Sequence, residues 1–206
     1  MQRFILAILF LFQYQCFSQS YDKSIDSLDI YINKKEFIPA LNLARKKAKE
    51  YLKAKDYEKF CTITLKKSTI FFLLNDREKS FENLFDVLKV TDEHNLVQLK
   101  IQALQDIGLR YASILDYTKA LDYYHKSISL AKRKNGSEIN PFVYQRIYAV
   151  YFAMESDSAL FYLEKVMKST KLKGTDKDYA QSYNNYYAYY ATQEKNELAK
   201  NTWILP

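Results

Sequence analysis

The sequence is poor in glycine and proline, with three of each among 206 residues. All-β barrels, glycine-rich nucleotide-binding folds and linker-rich proteins depend on these residues for their turns, so the composition speaks against all of them. A helical protein is the class that remains. Apolar residues make up 48% of the chain and aromatic residues 16%, which is enough apolar surface for a core and excludes a disordered protein.

Histidine and cysteine are also scarce, and no pattern of catalytic residues is present. His94 and His125 are not spaced to share a metal ion, and a zinc site needs three or four ligands. Cys61 lies in the apolar run 60–65, which indicates a buried and unreactive thiol. Neither a glycine-rich phosphate loop nor a serine nucleophile motif occurs. We therefore predict that the protein is not an enzyme and binds no metal and no cofactor.

The net charge of +7 is concentrated in one segment of the chain. Residues 34–67 contain eleven basic and four acidic side chains, which account for the whole excess. A nucleic-acid-binding protein would carry its basic residues along an extended groove, so we predict no nucleic-acid partner for this region. The segment is interpreted as a solvated helix face, and docking to an anionic surface is the alternative.

Residues 1–18 are typical of a secretory signal peptide. Arg3 precedes the apolar stretch 4–12, and a cleavage site follows Ser18. The bulky residues before Cys16 argue against a lipid-modified cysteine, and the apolar stretch is too short to span a bilayer. We therefore predict an exported bacterial protein, periplasmic or associated with the cell envelope. It would meet the membrane only through this signal peptide or through a segment beyond residue 206.

A period of about forty residues runs through the rest of the chain. The small residues at the centre of a recurring motif are Ala40, Ser80, Ala120, Ala159 and Ala199. In the central unit, a stripe at helical spacing runs from Leu104 through Gly108 to Tyr111, and a second stripe follows a turn near Asp116. Each period therefore predicts two antiparallel helices, with small residues where the helices approach closely.

The central unit resembles the tetratricopeptide repeat family in the order of its large, small and aromatic residues. The residues that carry the resemblance are Leu104, Gly108, Tyr111, Ala120, Tyr124 and Ser127. The resemblance implies an all-α fold, a right-handed α-α superhelix (solenoid) of antiparallel helical hairpins. A period of forty exceeds the roughly 34 residues of the standard repeat, so about six extra residues are expected in the second helix or in the link after it. Armadillo or HEAT repeats, whose periods are of this order, are the alternative.

We predict a signal peptide over residues 1–18 and a repeat domain over residues 19–206. The predicted hairpins cover about 21–58, 59–98, 99–136, 139–174 and 176–206. Because the last hairpin lacks most of its second helix, the chain is interpreted as a fragment, or a shortened relative, of a longer protein. Gly136 and Gly174 are expected to end helices in the left-handed conformation, which glycine adopts at little cost.

A tyrosine stripe is expected to pack the fifth hairpin on the fourth. The spacing places Tyr179, Tyr183, Tyr186 and Tyr190 on one helical face. Tyr189 is expected to be turned away from that face.

Polar residues are expected on the concave face of the solenoid, which the first helices of the hairpins line. Side-chain amides both donate and accept hydrogen bonds, so a ladder of them can hold an extended peptide backbone. The candidate ligand-binding residues are Gln102, Gln105, Gln145, Arg146, Gln181, Asn184 and Asn185. The resemblance implies a protein or peptide partner, whereas ordinary solvated positions are the alternative.

These features predict an exported scaffold that binds a protein or peptide. It resembles the sensor portions of bacterial membrane-anchored regulators in signal transduction, whose output domain would lie beyond residue 206. A stand-alone periplasmic or outer-membrane-associated structural scaffold is the alternative.

Overall fold

The computed structural model describes residues 23–135, 139–173 and 176–192, which are all helices and their links. The helices are α1 Lys23–Asn33, α2 Phe37–Lys53, α3 Tyr57–Leu73, α4 Arg77–Glu93, α5 Val97–Ser113, α6 Tyr117–Asn135, α7 Pro141–Ala153, α8 Ser158–Lys173 and α9 Asp176–Thr192. The predicted signal peptide, Gly136, Gly174 and Ala199 lie outside the described residues. Within these ranges, no helix is long and apolar enough to cross a membrane.

The helices form two layers. Each helix packs against the next one along the chain, which gives the hairpins α1–α2, α3–α4, α5–α6 and α7–α8, with α9 against α8. The first helices of neighbouring hairpins also touch, since α1 contacts α3, α3 contacts α5 and α5 contacts α7. The first helices therefore make one continuous layer, which we call the first-helix face, and the second helices make the other.

The links between α1 and α6 contain three residues each and no glycine. The middle residue of each of these links, and the second residue of the four-residue link between α7 and α8, has a positive φ. These left-handed residues are Lys35, Lys55, Asn75, Asn95, Leu115 and, between α7 and α8, Glu155. In the link after α5, the backbone N of Asp116 donates to the carbonyl of Tyr111 at 3.0 Å, and the N of Leu115 donates to that of Ala112. This Schellman arrangement ends α5 tightly, and the same pair of bonds ends α1, α2, α3 and α7.

The residue that ends one helix also starts the next. Asp56, Asp76 and Asp116 each accept a hydrogen bond at Oδ1 from the backbone N three residues later, at 3.1–3.2 Å. Aspartate is a favoured residue for this capping role. A helix of 17 residues and a link of three repeat from Phe37 to Ser113, and the helices that follow Glu36 and Leu96 keep this pattern without a side-chain cap.

The observed helix starts differ from the expected hairpins in two respects. The boundaries expected after residues 58 and 98 fall two residues inside α3 and α5. The Asp56 cap starts α3 at Tyr57, whereas α5 starts at Val97 without a side-chain cap. The extra length is not confined to the second helix or to the link. First and second helices share it equally, since α3, α4 and α5 all have 17 residues.

Leu115 is an unfavourable residue for its link, so Leu115→Gly should stabilise the protein. Its φ is 63° and its side chain is 71% exposed. A left-handed conformation costs roughly 1–2 kcal/mol for a residue with a Cβ, and glycine would remove this cost. The greater freedom of glycine in the unfolded chain offsets about 0.5–1 kcal/mol of that gain in stability. We expect the free energy of unfolding, measured by urea denaturation, to rise by about 0.5–1 kcal/mol. Asn75→Gly is the matched control and should gain less, because asparagine tolerates this conformation. A loss of stability in Leu115→Gly would contradict the prediction.

Two of the capping aspartates should make the fold sensitive to acid. Hydrogen bonds from Lys79 and Lys119 hold the pKa values of Asp76 and Asp116 below their ordinary value of 3.8. A carboxyl whose folded-state pKa is lowered stabilises the fold above its unfolded-state pKa and loses that contribution as the pH falls through the lowered value. We therefore expect the variant Asp76→Asn/Asp116→Asn to lose less stability than the wild type between about pH 4 and about pH 2.

Urea denaturation at both pH values measures this difference. Burial raises the pKa of Asp106, which acts in the opposite direction, but Asp106 is present in both proteins and cancels in the comparison. Equal losses in the two proteins would contradict the role of the two caps.

Small residues lie where the helices of a hairpin approach most closely. A Cβ added to Gly108 on α5 would lie 2.6 Å from Cε1 of Tyr124 on α6. In the preceding hairpin the corresponding residues are Ser68 and Ser80, and each hydroxyl donates to the backbone carbonyl of the other, at 2.9 and 3.0 Å. The other predicted repeat positions that the structure describes are Leu104, Ala40, Ala120, Ser127 and Ala159, which are buried, and Tyr111, which is half-buried.

The apolar core is shared between neighbouring helices and has no single centre. One cluster joins α1, α2 and α3, and further clusters join α3 to α5, α6 to α7 and α7 to α9. The fully buried aliphatic residues include Leu28, Ile63, Leu84, Ile107, Ile147 and Leu163. Stability in such an arrangement comes mainly from contacts between adjacent units.

The tyrosines of α9 pack differently from the expected stripe. Tyr189 was expected to be turned away, and this is wrong, because it is buried with Tyr186 in the cluster formed with Tyr148 and Leu163. The buried face of α9 contains Ser182, Tyr186 and Tyr189 at i, i+4 and i+7. Tyr183 and Tyr190 are half-buried beside this face, and the side chain of Tyr179 lies outside the described part.

Candidate functional site

The predicted ligand-binding residues lie on three first helices of the described chain. Gln102 and Gln105 belong to α5, Gln145 and Arg146 to α7, and the remaining three to α9. The exposed members are Gln102, Gln181 and Asn184, and the half-buried members are Gln105, Gln145, Arg146 and Asn185. Within α9, Nε2 of Gln181 donates to Oδ1 of Asn185 at 3.2 Å.

Two of these residues connect neighbouring hairpins. Nη1 of Arg146 on α7 lies 3.5 Å from Oδ1 of Asp106 on α5. The backbone carbonyl of Asn185 on α9 accepts a hydrogen bond from the hydroxyl of Tyr148 on α7, at 3.1 Å. The predicted ladder therefore has two parts, one that holds the first helices together and one, at Gln102, Gln181 and Asn184, that faces solvent.

Sequence reasoning missed the charged partners on the first-helix face. Lys66 on α3 forms an ion pair with Asp29 on α1, in the same way as Arg146 on α7 reaches back to Asp106 on α5. Lys66, Asp106 and Arg146 are spaced at forty residues. That spacing is the sequence signal that places charges of alternating sign on successive first helices.

Arg110 is the one charged residue that is fully buried in the described chain, with 3% of its surface exposed. Its Nε donates to Oγ of Ser80 on α4 at 2.9 Å, and its guanidinium carbon lies 3.9 Å from the centre of the Phe72 ring on α3. Burial lowers the pKa of the guanidinium, and the neighbouring carboxylate of Asp106 acts against that shift. An arginine stacked on an aromatic ring keeps its charge at low desolvation cost.

Asp106, one turn before Arg110, lies between two cations. Burial raises the pKa of its carboxyl, while the charges of Arg146 and Arg110 act in the opposite direction. Two guanidinium groups against one carboxylate leave an excess of one positive charge in this cluster. Gln102, Asp106 and Arg110 follow each other at i, i+4 and i+8 along one side of α5, so the cluster continues the polar residues of the first-helix face.

The other candidate groups are structural. Burial raises the pKa of Cys61 to about 11, so its thiol stays protonated at neutral pH. The ring of His94 stacks on Tyr57 with 3.5 Å between centroids, and His125 is exposed. In the part of the chain that the structure describes, no three His, Cys, Asp or Glu side chains are placed to hold a metal ion.

The basic segment contains several ion pairs. Lys47 lies 2.9 Å from Glu50, Lys59 lies 3.1 Å from Asp56, and Lys66 is paired with Asp29. In each of the first two pairs the partners are three residues apart along the chain, as on an ordinary solvated helix surface. These contacts fit the interpretation of the segment as a solvated face.

The two helix layers, the short links and the small residues at the helix crossings define a helical-repeat solenoid of the tetratricopeptide-like class. The predicted all-α solenoid and the resemblance to this repeat family are confirmed. No family model and no curated protein sequence matches the chain significantly, so the solved structures carry this assignment.

Three of the solved structures that resemble this chain illustrate the likeness. BtubC (BKLC) from P. vanneervenii has a TM-score of 0.75 and 17% identity, over 85% of this chain and 73% of that one. A putative kinesin light chain from Podospora anserina with TPR-like repeats has a TM-score of 0.69 and 10% identity, over 88% and 90%. Aspartyl phosphate phosphatase F from Bacillus subtilis has a TM-score of 0.68 and 16% identity, over 88% and 57%. At these identities the likeness shows the fold alone.

Proposed function

We propose that this protein is an exported scaffold that binds a protein or peptide segment on the first-helix face of α5, α7 and α9. The observation that carries the proposal is the row of solvent-facing amides at Gln102, Gln181 and Asn184, with Gln105 and Gln145 half-buried beside it. The contacts from Arg146 to Asp106 and from Tyr148 to Asn185 hold the three helices in place under this row. A fixed row of groups that both donate and accept suits the main chain of an extended segment.

A binding screen with a matched pair of variants tests the proposal. The protein is screened against an array of nonapeptides of varied sequence, and the strongest ligands are measured by fluorescence anisotropy. We expect Gln105→Ala/Asn184→Ala to weaken binding by about tenfold, because each removed amide loses hydrogen bonds to the ligand. Asn42→Ala, an exposed amide on α2 in the other layer, is the control and should bind as the wild type does. Full affinity in the double variant would overturn the site assignment.

The signal-like residues 1–18 support an exported location for this scaffold. Mass spectrometry of the protein in envelope fractions should find a mature chain that begins at Gln19. An unprocessed chain that retains Met1 in the cytoplasm would contradict export.

We further propose that the scaffold serves as the sensor portion of a membrane-anchored regulator. The gene sequence beyond residue 206 tests this role, because a sensor requires an apolar stretch of about twenty residues followed by a basic segment. Its absence would favour a stand-alone periplasmic or outer-membrane-associated scaffold.

A further inference from the structure

The outer face of α2 carries basic side chains that have no acidic partner among the described residues. These exposed side chains, which we call the basic stripe, are Arg45, Lys46, Lys49 and Lys53. Their helical spacing places them on one side of α2, opposite the buried residues Ala44 and Ala48. Within the described ranges, the ion pairs of the basic segment use other cations, such as Lys47 with Glu50. The basic stripe is therefore the part of the segment whose charge is not balanced.

The basic stripe is particular to α2 and is not a property of the repeat. The side chains forty residues later on α4 are also exposed, but they are mixed in charge. They are Phe85, Asp86, Lys89 and Glu93. On α6, the basic residue at the position of Lys46 is Lys126, which is paired with Asp122 at 2.7 Å. Like charges four residues apart, as at residues 45, 49 and 53, destabilise a helix, and an anionic partner would remove that cost.

Two exposed apolar side chains flank the basic stripe. Ile38 is 75% exposed and Leu52 is 49% exposed, and helical spacing places both on the same side of α2 as the stripe. At 1.5 Å per residue they lie about 21 Å apart along the helix axis. Flexible lysine side chains without fixed partners suit lipid headgroups that rearrange around them, and apolar side chains beside them can enter the membrane interface. This combination favours a lipid surface over an acidic protein of fixed shape.

We infer that the outer face of α2 binds the surface of a lipid bilayer that contains anionic phospholipids. The helix lies parallel to the membrane, with the basic stripe at the phosphate groups and with Ile38 and Leu52 among the headgroups. The sequence predicts membrane contact only through residues 1–18 or a segment beyond residue 206, so this surface adds a contact within the repeat domain. It lies in the layer opposite the amides of α5, α7 and α9, and is therefore independent of the peptide site proposed there.

Binding to lipid vesicles tests this inference. The protein is purified from the cells that produce it, and flotation measures its affinity for vesicles of phosphatidylcholine, alone or with about one third phosphatidylglycerol. We expect tight binding only to the anionic vesicles. Lys46→Gln/Lys49→Gln should weaken that binding about thirtyfold, since each basic residue near an anionic surface contributes roughly a factor of five. Ile38→Asn should weaken it by about fivefold, because an apolar side chain no longer enters the interface.

Salt separates the two contributions. An increase from about 0.1 M to about 0.5 M salt shortens the screening length roughly twofold, so the difference between the wild type and the lysine variant should shrink. The difference between the wild type and Ile38→Asn should remain, because the burial of apolar surface is not screened by salt.

A matched charge variant on the other second helices is the control. Lys89→Gln/Lys132→Gln removes the same charge from exposed residues of α4 and α6, and should bind the anionic vesicles within about twofold of the wild type. Any contribution from residues 1–18 is the same in every variant and cancels in the comparison. Circular dichroism verifies the fold, which these substitutions at exposed positions should leave intact.

Three outcomes would overturn the inference. Equal binding of the wild type and the lysine variant to anionic vesicles overturns the site on α2. Equal binding of the wild type to neutral and anionic vesicles overturns the requirement for anionic lipid. Binding to soluble polyglutamate through the same lysines, as tight as to vesicles and unchanged by Ile38→Asn, overturns the choice of a bilayer.

Discussion

Gly108→Val should destabilise the protein by about 3 kcal/mol, near the upper end of what overpacking costs in protein cores. A Cβ at residue 108 would lie 2.6 Å from Cε1 and 2.7 Å from Cδ1 of Tyr124. The tyrosine ring has no free space to move into, because it is buried in the cluster with Val143 and Ile147. Valine adds two further methyl groups to this conflict, so α5 and α6 must separate or the ring must leave its rotamer.

Urea denaturation followed by circular dichroism measures the loss, and a double-mutant cycle assigns it. Gly108→Ala should also lose stability, although alanine favours a helix over glycine by about 1 kcal/mol. Its loss should be smaller than that of Gly108→Val, because it adds only the Cβ. Tyr124→Leu removes the ring, so adding Gly108→Val to that variant should cost much less than in the wild type. A neutral Gly108→Val, or a cycle without coupling, would mean that the helix crossing does not lie at these residues.

The crossing of α5 and α6 shows how much of the fold the sequence determines. Gly108 and Ala120 are predictable, because a repeating small residue between apolar helical stripes has few explanations besides close helix packing. The left-handed links were less predictable. Glycine is the residue that signals such turns in a sequence, yet Lys35, Lys55 and Leu115 adopt the conformation. Their helices are held on both sides by packing, and that packing overrides the preference of a single link residue.

The polar surface of the candidate site can be predicted from the sequence, but its buried charge cannot. The amides at Gln102 and Asn184 follow from helical spacing on the first helices, and the structure exposes both. From the sequence alone, Arg110 would be predicted to lie at the surface, because arginine is rarely buried. Its burial depends on Phe72 and Ser80, which the chain brings from another hairpin. The periodicity of one helix cannot predict contacts with another hairpin. For the same reason it does not predict that Tyr189 is buried against the fourth hairpin.

Ile147→Ala should destabilise the protein by about 2–5 kcal/mol and should weaken the junction between the third and fourth hairpins. Ile147 on α7 is fully buried in the cluster with Tyr124 and Ile128 of α6 and Val143 of α7. The substitution leaves a cavity at this junction, which these neighbours can fill only in part. Since stability in a solenoid is carried by contacts between adjacent units, a weak junction should allow the units on its two sides to unfold separately.

Hydrogen exchange measured by mass spectrometry distinguishes a local from a global effect. In the Ile147→Ala variant, protection should fall first in α7, α8 and α9, while α2 to α5 keep protection close to that of the wild type. Ile30→Ala is the matched control, because Ile30 on α1 is 52% exposed, and it should change the free energy of unfolding by less than about 0.5 kcal/mol. A uniform loss of protection along the described helices would contradict the prediction. Such a result would mean that the hairpins unfold as one cooperative unit, and a ligand bound on α5, α7 and α9 would then stabilise the whole solenoid and not its second half alone.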